Sequence, residues 1–232
     1  MRLLTAIFAV LALVAIAALA SAPRPGPVTL AVPPTPTPRV WDWPPAAPTE
    51  QPTLAHPRLL SGFIVPVDGV AIPTDALHLP NSPRDYRAGY HEGIDFPANA
   101  GAPVHAAKAG TVVRVDSAFT EWTAALEQAA FTESLALGYT PTAILDRIRG
   151  RQVWIDHGRG IVTRYAHLSA VASLRVGDPV AQGQVIGAVG SSGYPEGGPH
   201  LHFEIRVGDD FYGDGLPLPQ LRHAISVAFR SP

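Results

Sequence analysis

The chain has 232 residues, 47% of them hydrophobic, a formal net charge of -2 and no cysteine. That length suits one sizeable domain with extensions, and the net charge of -2, with Lys108 the only lysine, argues against the broad basic face that nucleic-acid phosphates require. Without cysteine there are no disulfides, no lipidated N-terminal cysteine and no thiolate ligands, so a metal site here has to be built from nitrogen and oxygen.

Arg2 precedes an uninterrupted apolar and small-residue stretch from Leu3 to Ala20, the positive-then-hydrophobic order of an export signal. Residues 1–22 are therefore expected to be a signal peptide or an N-terminal membrane anchor, taking the protein to the extracellular space, cell wall or periplasm. Of the two small-residue cleavage patterns, Ala18-Leu19-Ala20 is favoured, because Ala20-Ser21-Ala22 places Pro23 directly after the cut. The stretch is also close to the roughly 18 to 20 residues that span a bilayer, so it is long enough to remain as an anchor. Residues 23–57 carry 12 of the 25 prolines, including Pro33-Pro34-Thr35-Pro36-Thr37-Pro38. Proline fixes the backbone and removes donors, so a semi-rigid linker is expected, reaching roughly 100 Å at about 3.1 Å per residue.

From residue 58 onward the pattern becomes that of a folded domain, 58–232. Ser61 to Val67 is strand-like and Asp68-Gly69 closes it. His91-Glu92-Gly93-Ile94-Asp95-Phe96-Pro97 has helical i, i+4 spacing between His91 and Asp95, but Gly93 and Pro97 favour an extended segment, where even spacing also shares a face. Glu92 then points away from His91. Short β-rich runs follow at Val104–Ala107, Thr111–Val115, Gln152–Asp156, Val162–His167, Gln184–Val189 and His202–Val207, with glycine at nearly every junction. His157-Gly158-Arg159-Gly160 reads as the turn of a hairpin that delivers His167 at its far end.

Residues 119–150 break this pattern. Thr120 and Thr140 open two runs, Pro141 stands in a first turn, and Gly138 and Gly150 follow the ends, which predicts a two-helix insertion. Phe119, Trp122, Leu126 and Phe131 are expected to form its docking face. The fold class is thus mainly β, a compact antiparallel domain carrying a helical insertion. Gly190–Pro199 is glycine-rich without a phosphate-loop pattern and reads as a groove wall.

The chemistry lies in two short constellations. On a strand, His200 and His202 share a face, and with His91 and Asp95 they supply imidazole and carboxylate. Two histidines plus one carboxylate leave the fourth tetrahedral position open, as catalytic zinc requires. Of the nine histidines, His56, His78 and His223 read as ordinary surface or hydrogen-bonded residues. His105 and His157 are turn or surface histidines with a secondary chance of supporting the site.

Three motifs in order, His91-x-x-x-Asp95, Tyr165-Ala166-His167-Leu168-Ser169 and Gly198-Pro199-His200-Leu201-His202-Phe203-Glu204, resemble the LytM/lysostaphin-type zinc metalloendopeptidases of bacterial peptidoglycan. The connecting text Gly101-Ala102-Pro103-Val104 to Gly110-Thr111-Val112-Val113, and Val176-Gly177-Asp178 to Gly183-Gln184-Val185-Ile186-Gly187, also matches. The resemblance covers roughly residues 61–207, excluding the insertion. It implies zinc held by His91, Asp95 and His202, with His167 and His200 as catalytic histidines, and peptidoglycan peptides as substrate. Tyr194-Pro195-Glu196-Gly197 departs from the family's usual Ser/Thr-rich stretch.

Two other functions compete. A non-catalytic envelope protein that regulates wall hydrolases is one, although such relatives lose ligands and all five positions are filled here; the linker and insertion could still serve an envelope partner. A biotinyl or lipoyl carrier is the other, suggested by the 176–187 text, but the only lysine, Lys108, does not sit in a carrier's hairpin motif.

Overall fold

The computed structural model describes residues 59–230; the expectations for 1–22, 23–57 and His56 lie outside the described residues. In chain order the strands are β1 (Pro83–Arg84), β2 (Gly89–Tyr90), β3 (Ile94–Pro97), β4 (Pro103–His105), β5 (Gly110–Asp116) and β6 (Gln152–Asp156), followed by β7 (Ile161–Ala166), β8 (Leu168–Val171), β9 (Pro179–Val180), β10 (Val185–Val189), β11 (His200–Val207) and β12 (Asp210–Phe211). The helices are α1 (Ala124–Leu137), α2 (Thr142–Arg149) and α3 (Leu218–Ala228).

The main sheet is antiparallel in the order β12-β11-β7-β6-β5-β9, with β3 also paired to β11. A second sheet runs β4-β10-β8. Period-two alternation on β11 divides its side chains between two environments: Leu201, Phe203 and Ile205 enter the core, and His200, His202, Glu204 and Arg206 project from the opposite face. Phe203 packs against Tyr165 (centroids 5.2 Å apart), Phe96 (6.2 Å) and Phe229 (6.0 Å), the last just past α3. Helix α3 buries Leu221, Ala224, Ile225 and Ala228, a spacing of one helical stripe.

The hairpin predicted at 157–160 joins β6 to β7, and the mainly β fold with a two-helix insertion is present. Four local expectations are corrected. Residues 61–67 form no strand: Gly62 N, Phe63 N and Ile64 N donate to Arg230 O, Ala228 O and Ala107 O, and only Val67 makes an isolated bridge, to Val104. The first insertion helix is capped by Thr123, not Thr120, its hydroxyl accepting from Leu126 N at 3.3 Å. Thr140 caps nothing; its hydroxyl donates to Arg87 O at 2.6 Å, and Pro141 takes the cap position of α2. Leu126, expected on the docking face, is instead 54% exposed.

Candidate metal centre

The pairing of β11 with β3 sets His202 opposite Asp95, and its pairing with β7 sets His202 opposite Ala166, the residue before His167. Two hydrogen-bonded neighbours of a single strand thus place four of the five expected residues. His91, three residues ahead of β3, is fixed by its own backbone, with its N donating to Ser82 O (2.8 Å) and its O accepting from Asn81 N (2.9 Å). Gly93 lies between His91 and Asp95, where a Cβ would stand 2.5 Å from Phe203 O and 2.9 Å from the His202 ring.

His91 Nε2, Asp95 Oδ1 and His202 Nδ1 converge. His91 Nε2 is 2.9 Å from Asp95 Oδ1 and 3.0 Å from His202 Nδ1, which is itself 2.9 Å from Asp95 Oδ1. The far side of each imidazole is already committed. His91 Nδ1 donates to Leu79 O at 3.0 Å, and His202 Nε2 donates to Glu204 Oε1 at 3.2 Å. A carbonyl or carboxylate can only accept, so the ring protons are directed outward and the lone pairs inward. Three inward acceptors within 3.0 Å of one another need a cation between them.

The electrostatics agree. Burial holds the His91 ring below its usual pKa in spite of Asp95. Burial also opposes charge on His202, but its hydrogen bonds to Asp95 and Glu204 outweigh it and push that ring up to about 9, so the metal-free centre keeps a proton where a cation would sit. Burial would raise Asp95, yet His91 and His202 hold its carboxyl well below the usual range.

His167 and His200 flank this cluster, their ring centroids 4.7 Å apart. His167 Nδ1 donates to Ser192 O (2.9 Å) and His200 Nδ1 to Gly198 O (2.9 Å). His200 Nε2 is 3.8 Å from Asp95 Oδ1. Burial, then the neighbouring His200 and His202, bring His167 down to about 3, so it is neutral at physiological pH and its Nε2 is a proton acceptor. His167 has φ +59°, left-handed backbone that a histidine adopts only under constraint, and it turns the ring out of the β7 plane into the site.

A cavity of about 440 Å³ opens over these residues. Its wall includes Tyr194, Pro199 and Gly197 from the glycine-rich loop, Arg84 and Tyr86 from the segment before β2, and Leu145, Ile148 and Arg149 from α2. Tyr194 stacks on Tyr86 (5.8 Å, 9° between planes), and Phe131 of α1 meets Tyr86 edge-on at 5.3 Å. The 190s loop is tied to the insertion by Trp122 Nε1, which donates to Gly193 O at 3.0 Å, and by Glu121, which accepts from Gly193 N at 2.9 Å.

A family model described as Peptidase family M23 matches residues 89–213, more than half of the 232. The chain belongs to peptidase family M23. All five expected site residues fall inside the M23 match. The DD-carboxypeptidase/endopeptidase Mpg of Neisseria meningitidis is 33% identical over 142 residues, 60% of this chain and 26% of that protein. The peptidoglycan DD-endopeptidase ShyA of Vibrio cholerae is 32% identical over 150 residues, 65% of this chain and 26% of that protein. This chain therefore spans about a quarter of the length of these curated M23 relatives. A crystal structure of a zinc-containing peptidase from Vibrio cholerae aligns at 25% identity over 66% of this chain and 39% of that one, with a TM-score of 0.42.

Some residues of the M23 centre had been assigned no role from sequence. Glu204 is fully buried behind His202 and accepts from Arg149 Nε at 2.6 Å, with Arg164 and Arg206 each at 3.3 Å. Its signal was present: positions 200, 202, 204 and 206 share one strand face. Arg84, 3.4 Å from the second oxygen of Asp95, was also missed. Glu92 does turn from His91, pairing with Arg149 (2.6 Å) and Arg206 (2.9 Å). His105 and His157 stand apart from the centre, bonded to Gly183 O and Asp68, and to Ala109 O and Thr163.

Proposed function

We propose that this chain is a zinc-dependent endopeptidase acting on peptide bonds of bacterial peptidoglycan, exported and working in the envelope. The observation that carries the reading is the inward convergence of His91 Nε2, Asp95 Oδ1 and His202 Nδ1, all with lone pairs facing one point. Two imidazoles and a carboxylate without sulfur suit zinc, and this number of protein donors suits a catalytic rather than a closed structural site. When bound, the ion supplies Lewis acidity to the scissile carbonyl and to water.

The chain's own groups do the rest. His167 Nε2, neutral and unprotonated, is placed to receive a proton from the attacking water, and His200 stands on the other side of the same opening, within reach of the oxygen on which negative charge develops. The Nδ1–H bond of His167 to Ser192 O holds that ring in the tautomer a base needs, and the bond of His200 Nδ1 to Gly198 O fixes the orientation of its ring toward the opening. The peptide lies in the cavity between the Tyr86–Tyr194 stack and α2. Residues 1–22 would serve as export signal or anchor, and 23–57 as the spacer that lets the domain reach a wall substrate.

The test is digestion of defined peptidoglycan with mass identification of the released fragments, and metal analysis on the same sample. Peptide-bond cleavage with about one zinc per chain supports the reading. Metal-replete protein that binds wall fragments without cutting them would instead make it an envelope binding protein.

A further inference from the structure

One side chain of the helical insertion bonds to the carboxylate behind His202. Arg149 is the last residue of α2, and its guanidinium is buried. It donates through Nε to Glu204 Oε1 at 2.6 Å, through one terminal nitrogen to Glu92 Oε2 at 2.6 Å and through the other to Asp146 Oδ1 at 3.3 Å. Glu204 Oε1, the same oxygen, is 3.2 Å from His202 Nε2. The line from α2 to the metal-facing nitrogen is therefore continuous: Arg149, Glu204, His202.

We propose that Arg149 is a positioning residue of the metal centre, holding the Glu204 carboxylate at the angle that keeps His202 Nδ1 aimed at the ion. Three features favour this over a purely structural ion pair. Glu204 is fully buried, so without Arg149 its Oε1 has no other guanidinium within bonding distance, since Arg164 and Arg206 both contact Oε2. A fork that spans Glu204 and Glu92 fixes a plane, which a single ammonium cannot do. The backbone also leaves α2 at a position only glycine fits: Gly150 has φ +64°, and a Cβ on it would stand 2.3 Å from Ser192 O. That oxygen is the one to which His167 Nδ1 is bonded, so the end of α2 is located against both histidines.

The inference rests on the zinc reading above, and the experiment separates the two. Zinc affinity is measured by chelator competition, and the visible spectrum is recorded with Co²⁺ in the same site, for the unaltered chain, Arg149→Lys, Arg149→Ala, Glu204→Gln and Arg149→Ala/Glu204→Gln. Failure of the unaltered chain to bind zinc would remove the underlying reading. Given binding, Arg149→Ala is expected to weaken it by about 10- to 100-fold, the usual cost of losing an outer partner of a metal ligand, and Arg149→Lys by less. In the Glu204→Gln background the same Arg149 change should cost little further. Arg149→Lys should also shift the Co²⁺ bands, and this decides the matter should either the alanine or the glutamine variant fail to fold. Unaltered zinc affinity and Co²⁺ spectrum in a folded Arg149 variant, or an equal loss with and without Glu204, would overturn the proposal.

Discussion

Two carboxylates sit two positions apart along the same face of the sheet and are treated in opposite ways. Asp95 faces imidazoles: His91 and His202 at 2.9 Å, with Arg84 touching only its outer oxygen at 3.4 Å. Glu204 faces guanidiniums, with Arg149, Arg164 and Arg206 all within 3.3 Å. The inner group is rich in acceptors and short of positive charge. The outer group neutralises itself. Charge needed to pin His202 is thus kept behind it, where it orients the ring without competing for the opening in which a cation and substrate would meet.

The largest expected effect breaks the inner group. His202→Ala should abolish both zinc retention and hydrolysis, and chelation of the unaltered protein should reproduce the loss of activity with the β signature of the circular-dichroism spectrum intact. Next, His167→Ala and His200→Ala should keep the metal while lowering turnover by about a hundredfold or more, read from metal stoichiometry and initial rates on one preparation. Should His200→Ala release the metal and His202→Ala retain it, the roles within the His-Leu-His strand are reversed.

A smaller difference sharpens the contrast between the two carboxylates. In metal-free protein, Glu204→Gln should cost about 3 kcal/mol of unfolding free energy in urea, because it leaves buried guanidiniums short of a partner, and Asp95→Asn should cost less, because an imidazole left without its carboxylate can shed its proton and a guanidinium cannot. Equal losses would remove the distinction between the groups. The smallest effect lies away from both. Burial lowers the His157 pKa, so the unfolded chain binds more protons than the folded one below the usual value near 6.5. That contribution is fully present above pH 6.5 and is lost as pH falls toward the lowered folded value; His157→Gln should flatten this part of the stability profile.

How much of this was legible in the sequence depended on the range of the interaction. That these residues gather was legible in two ways: strand alternation puts His200 with His202 and even spacing puts His91 with Asp95, whereas His167 came only from the family resemblance of its motif. Glu204 and Arg206 extend the same alternation, and the 221, 224, 225, 228 stripe of α3 is an ordinary helical spacing; both were open to the same reasoning and were missed. Arg149 is different. It lies 55 positions from Glu204 and meets it only once the insertion has folded onto the sheet. The left-handed backbone of His167 carries no sequence mark either, since it is imposed by the packing around it, with His167 N donating to Arg149 O and its ring to Ser192 O. Thr140 shows the limit of cap signals: a tertiary partner, Arg87, took the hydroxyl that a helix end could have used.

Gly62 N and Phe63 N donate to Arg230 O and Ala228 O, so the first and last stretches of the described chain lie side by side. In terms of connectivity the domain is nearly a ring. Joined there and opened instead at Gly138–Tyr139, where Tyr139 is exposed and Gly138 has open space around it, the polypeptide would place His200-x-His202 ahead of His91-x-x-x-Asp95. The centre is built from strand neighbours and not from sequence order, so the same four side chains would meet, and the order of the motifs would record only where the ring was cut.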